Sequence, residues 1–187
     1  MPIEWMVLAA VVALLVYAVV AFNALVRHRN LVREGWSGVD VQLRRRSDLI
    51  PNLVQTVKAY ATHERELFED IATRRTSALS TGAVPDKASA ETALQGSLGK
   101  LIAVAEAYPQ LKADGNFLKL QEQLAEIEDQ LQMARRYFNG AVRDFNIRIQ
   151  SFPDVIIARA LGFSEEHFFQ TDAASAAVPV VNLSGAT

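Results

Sequence analysis

Hydrophobic positions fall into three regimes along the chain. From Trp5 to Phe22 the run WMVLAAVVALLVYAVVAF carries no charge, and Ala24, Leu25 and Val26 extend it past Asn23. At about 1.5 Å per residue, a helix of that length reaches roughly 30 Å, the thickness of the hydrocarbon core of a bilayer. The run therefore predicts a transmembrane helix within residues 1–26. A cleaved signal peptide would show a basic leading region, a shorter apolar core and a small-residue cleavage pattern, and none of the three is seen here. Beyond it Val32, Trp36, Val39 and Leu43 recur at steps of four and three, so the membrane helix is expected to continue as the first helix of a bundle.

A second stripe runs through Leu49, Leu53, Val57, Tyr60, Leu67, Phe68, Ile71 and Leu79, with Gln55, Lys58, Glu66 and Glu69 on the other side. It predicts one long amphipathic helix. Its phase differs from that of the first stripe, and the change falls at Arg46 to Asp48 in LRRRSDLIPNLVQ. That predicts a capped corner between two helices. Ser47 or Asp48 caps the second, Pro51 sits in its first turn, and Arg44, Arg45 and Arg46 suit the carbonyl end of the first. A kinked but continuous helix is the alternative.

The stretch STGAVPDKAS, residues 80–89, concentrates turn formers and reads as a loop. A third helix follows through Leu94, Leu98, Leu101, Ala105 and Tyr108. Gly96 and Gly99 weaken it by about 1 kcal/mol each relative to Ala, and either admit a close neighbour or are merely tolerated. Pro109 ends that helix and ADGN turns the chain. The strongest pattern then begins at Phe117: Leu120, Leu124, Ile127, Leu131, Ala134, Phe138, Ala141, Phe145, Ile149 and Phe152 alternate by three and four, as in a coiled coil. Pro153 stops or turns this long helix. VIIARALGF forms a short cap over the bundle end, with Gly162 as its stop signal. The tail 170–187 lacks periodicity and is expected to be mobile.

The fold class is thus all-α: a transmembrane helix continuing into an antiparallel up-and-down four-helix bundle over residues 27–169. Charge adds orientation. Only Glu4 and the initiator amine precede the span, whereas Arg27, His28, Arg29 and Arg33 follow it, so the positive-inside rule places the bundle in the cytoplasm. The same basic residues are candidates for holding anionic lipid, whereas Arg44 to Arg46 lie about 25–30 Å from the membrane exit by helical rise, which favours intramolecular pairing or a protein partner for them. Lysine plus arginine is 19 and aspartate plus glutamate 21, which leaves no general footprint for nucleic acid.

Candidate chemistry is sparse. With no cysteine there is no disulfide or thiolate site. No Glu-x-x-His pair exists, and His28, His63 and His167 have no partner at metal-binding spacing, which excludes the di-iron bundle pattern. His63 followed by Glu64 resembles a phosphoacceptor box on a bundle helix, the basis of an alternative reading as a passive phosphotransfer module. Glu122, Glu126, Glu128 and Asp129 read as a solvated face. Asn139 and Asn146 stand seven apart, two helical turns, as do Asn23 and Asn30. Each pair lies along one line of its helix, where a buried amide could fix register against a neighbour or simply face water.

The segments FNALVRHRN, VDVQLRRRSDLIPNLVQTVKAYATHE, AEAYPQLKADGNFLKLQEQLAEIEDQL and ARRYFNGAVRDFNIRIQSFP, in that order, resemble the LemA family of bacterial membrane proteins. The likeness covers residues 22 to about 169, with Phe22 and Phe138 where the family pattern often has tyrosine. It implies an outward N-terminus and a cytosolic bundle at the inner membrane, and no established reaction or cofactor. The expected role is a non-enzymatic scaffold or adaptor with unidentified protein partners or a second copy of itself. Candidate structural or interaction residues are Arg44, Arg45, Arg46, Asp48, Pro51, Asn52 and Glu64, then Tyr108, Pro109, Arg136, Asn139, Asn146 and Pro153.

Overall fold

A computed structural model describes residues 2–170 of the chain. Among these residues the fold is all-helical: α1 (Ile3–Lys58), α2 (Arg65–Ser80), α3 (Val84–Glu106), α4 (Pro109–Lys112), α5 (Gly115–Gln150) and α6 (Asp154–Ala160). The expectation of a mobile tail over 170–187 lies outside them apart from Gln170.

The predicted corner at Arg46 to Asp48 is not a corner. A single helix of 56 residues runs from the apolar run through Arg46 and Pro51 to Lys58, which is the continuous alternative. The apolar phase shifts there because Leu43 and Ile50 belong to two separate core clusters, and the buried Arg46 and Ser47 lie between them. The long second helix expected from Leu49 to Leu79 is instead divided. The chain turns at residues 59–64, where THERE offers no apolar side chain to hold a continuing helix on the core. The loop expected over residues 80–89 shrinks to 81–83, because Pro85 sits in the first turn of α3, where its missing N–H costs little.

Polar pairs fix the directions of the helices. Asp70 meets Ser97, so α2 and α3 run antiparallel. Lys87 meets Asp40 and Glu91 meets Arg46, so α3 runs parallel to α1. Arg46 meets Glu128 and Tyr60 meets Asp114, so α5 runs back along α1. The Asp114 carboxylate caps α5, accepting from the N–H groups of Asn116 at 2.8 Å and Phe117 at 3.1 Å. These backbone donors hold its carboxyl below the usual range against the opposing effect of burial, with further help from the Tyr60 hydroxyl.

α1 and α5 form the spine, and the α2–α3 hairpin packs at the end far from the apolar run. That far cluster includes Ile50, Leu53, Val57, Phe68, Ile71, Leu94, Leu101, Leu111 and Phe117. The near cluster includes Leu25, Val32, Val39, Leu43, Leu131, Phe138, Val142, Phe145, Ile149 and Ala158. Nine of the ten stripe positions from Leu120 to Ile149 lie on α5 as expected, whereas Phe152 lies beyond its end and is 81% exposed. On α1 the apolar residues Trp5, Leu8, Leu14, Leu15 and Val19 are exposed, which leaves a length of helix suited to lipid rather than to the bundle.

The close helix approach expected at Gly96 or Gly99 falls at Gly35. Neither of the two α3 glycines has a neighbour within 4 Å of a built Cβ, whereas at Gly35 such an atom would lie 3.0 Å from the Phe138 Cα and 3.2 Å from the Tyr137 ring. Backbone cannot yield as a flexible side chain does. Gly35→Ala is therefore expected to destabilise the protein by about 1–3 kcal/mol through overpacking. Gly38→Ala, with open space around it, is expected to stabilise it by up to about 1 kcal/mol through helix propensity. Unfolding of both variants in detergent checks the pair.

Candidate functional site

Between the two apolar clusters lies a charged layer. Arg46, 3% exposed, donates to Glu91 at 2.5 Å and to Glu128 at 3.1 Å, so α1 is tied at one level to both α3 and α5. Arg135 reaches the same Glu128 at 3.9 Å and stacks its guanidinium 5.0 Å from the Phe169 ring. Burial pushes the Arg135 guanidinium below its ordinary value, and the charge of Glu128 counteracts that. A guanidinium stays protonated in such a site, so the layer is balanced by two cations and two carboxylates. One turn back, Lys87 pairs with Asp40 at 3.2 Å. Burial raises the Asp40 carboxyl, and the bonds from Arg44 and Lys87 more than reverse this and hold it below the usual range.

Pro51 explains a second tie. Lacking an N–H, it cannot bond the Ser47 carbonyl four residues earlier in the helix. Arg75 of α2 supplies the missing donor, its Nε lying 2.8 Å from the Ser47 oxygen, and its terminal nitrogen comes within 3.9 Å of Asp48. The gap in the hydrogen-bond ladder of α1 is thereby the docking point for the α2–α3 hairpin.

The two asparagines of α5 hold an extended segment that follows α6. Asn146 accepts from the Glu166 N–H at 2.9 Å and donates to the Glu166 carbonyl at 2.9 Å. Asn139 does the same with Phe169, at 2.9 and 3.2 Å. Each amide mimics a strand neighbour for a single residue. The segment is also pinned by its aromatics: Phe163, ahead of the first clamp, lies against Phe22, Phe145 and Arg29, and Phe169, at the second, lies against Trp36. The register fixed by these amides is that of the C-terminal segment.

The other candidates scatter. Arg44 pairs with Asp40 on the surface, and Arg45 and Asp48 line an open groove between α1 and α5 with Gln42, Gln123, Glu126 and Gln130. Asn52 lines the next groove along. Glu64 precedes α2, Tyr108 and Pro109 start α4, Arg136 is exposed, and Pro153 precedes α6. His63 is exposed in the turn after α1 and not on a helix, which removes the premise of a helix-borne phosphoacceptor. Among the described residues no group of histidine and acidic side chains is placed to hold a metal. Sequence reasoning took Glu128 for a solvated residue and passed over Glu91, Arg75 and Arg135. Arg135 at an apolar-stripe step from Leu131 and Phe138 was the available signal for a buried charge.

This arrangement, with the exposed apolar length of α1, defines a membrane-associated all-helical protein. The profile of the LemA family matches residues 35–183, and the chain belongs to that family. It is similar to magnetosome proteins MamQ 2 and MamQ 1 of Paramagnetospirillum magneticum, each 26% identical over 187 aligned residues that cover 86% of this chain and 69% of the relative. Magnetosome protein MamQ of Magnetospirillum gryphiswaldense is 23% identical, covering 90% of this chain and 72% of its own length.

The Pro51–Ser47–Arg75 tie makes a double-mutant prediction. Arg75→Met keeps the apolar stem but orphans the Ser47 carbonyl, an expected loss of about 1–3 kcal/mol. Pro51→Ala returns the N–H to the ladder, so in that background Arg75→Met is expected to cost about 1 kcal/mol less. Chemical unfolding of the four proteins measures the coupling, and additive effects would contradict it.

Proposed function

We propose that the protein is a membrane-anchored, non-enzymatic scaffold, with residues 1–26 as anchor and residues 27–169 as a bundle held at the inner face of a bacterial cell membrane. One observation carries this reading: the helix that bears the exposed apolar run also supplies Leu43, Arg46, Ile50 and Leu53 to the core of the bundle. A bundle joined in this way is held at a fixed height and rotation over the membrane.

The presenting surface is the open groove between α1 and α5, where Arg45 and Asp48 stand beside Gln123, Glu126 and Gln130. Mixed charge of this kind selects a partner more than it adds affinity. The partner is another protein or a second copy of the chain.

A photo-crosslinking residue at Arg45 or Gln123 is expected to give one discrete adduct in intact membranes, and the same residue at the exposed Glu69 of α2 none. Arg45→Glu is expected to abolish the Gln123 adduct and leave unfolding within about 0.5 kcal/mol, as surface changes do. A monomeric protein without a specific adduct at either groove position would overturn the proposal.

A further inference from the structure

The end of α5 and the whole of α6 lie beside the apolar run of α1. The Tyr17 hydroxyl donates to Asp154, Ala21 is buried, and Phe22 meets Phe163 edge to face. Phe22 is the last residue before Asn23 interrupts the apolar run. Tyr17 lies five residues earlier, so the level at which it meets Asp154 is about 7 Å inside the end of that run by helical rise. Taking the run to Val26 places this level deeper still.

What faces outward at that level is apolar. Phe152 in the turn is 81% exposed, Ile156 of α6 61% and Leu161 after it 55%. Among the described residues nothing covers them. In contrast, the charge at the start of α6 is compensated: Asp154 is 8% exposed, pairs with Arg148 at 2.9 Å and accepts from Tyr17. Part of the turn's backbone is bonded internally. Ser151 donates its N–H to Arg148 and its hydroxyl to Ile147, Val155 donates to Ser151, and Pro153 has no N–H. Each donor paired in this way is one that need not be stripped of water when the turn enters a low-dielectric layer. Arg159, exposed on α6, has a stem long enough to snorkel its charge to the headgroups.

We infer that the Phe152–Leu161 tip is a second membrane-contact surface, inserted into the boundary between headgroups and acyl chains beside the span. This rests on the reading of α1 as a membrane anchor. Its occupant is lipid, because the patch is continuous with the apolar run and lies at a depth that the run assigns to the bilayer. The tip would brace the bundle against tilting about α1, and its insertion would displace lipid in one leaflet next to the anchor.

The chain contains no cysteine, so single-cysteine variants can carry an environment-sensitive fluorophore without a background. Phe152→Cys and Ile156→Cys are labelled in the full chain in phosphatidylcholine–phosphatidylglycerol vesicles, and quenching by spin-labelled lipid is read against Leu14→Cys in the span and Gln123→Cys on the bundle. The expected result is strong quenching at 152, 156 and 14 and little at 123. Quenching at 14 with none at 152 and 156 would overturn the inference and leave the anchor standing. Loss of quenching at 14 as well would overturn the anchor itself. A blue-shifted emission at 152 and 156 that lipid does not quench would mean that a protein surface covers the tip, and would equally overturn the inference.

Discussion

Arg46 sets the terms on which this chain folds. A guanidinium at mid-helix, surrounded by packed side chains, loses several kcal/mol of hydration unless carboxylates meet it in good geometry. Glu91 and Glu128 do so from two other helices, and removing either would leave a buried charge uncompensated. The layer adds less net stability than a well-packed apolar one would. Its contribution is register: the pairs to Glu91 and Glu128 are satisfied only when α3 runs parallel to α1 and α5 antiparallel, at one offset of each.

That offset propagates in both directions along the spine. Toward the far end it brings Tyr60 to Asp114 and places Arg75 on the carbonyl that Pro51 leaves free. Toward the membrane it sets Gly35 against Phe138, where only a glycine admits the backbone, and puts the start of α6 beside Tyr17. The extended segment after α6 then closes the α1–α5 seam through Asn146 and Asn139. Anchor, bundle and C-terminal segment thus share one frame of reference. Any partner recognised by the bundle would meet it at a height and angle dictated by the membrane helix.

Periodicity made the helices legible, and long-range pairing hid the rest. The α5 stripe from Leu120 to Ile149 and the apolar run to Phe22 could be read directly, since burial there follows the helical repeat. The misplaced corner has a specific cause: a polar layer inside a continuous helix interrupts the apolar stripe just as a helix end would. Ser47, Asp48 and Pro51 then look like a cap because the donor that rescues the ladder, Arg75, comes from another helix. A single sequence does not pair Arg46 with Glu91 or Ser47 with Arg75. The asparagines were visible by spacing, but their partners are backbone groups of a segment without periodicity. The family relation agrees with the fold and leaves the partner open.

α1 is one continuous rod from the membrane exit through the charged layer to the far end of the bundle. Spin labels at Arg27→Cys and Gln55→Cys, both on exposed positions of α1, test it by dipolar distance measurement on the protein in lipid nanodiscs. A continuous helix predicts one narrow distribution near about 42 Å, from 28 residues of helical rise. A broad distribution centred well below that, as a hinge at Arg46 to Pro51 would produce, would contradict it.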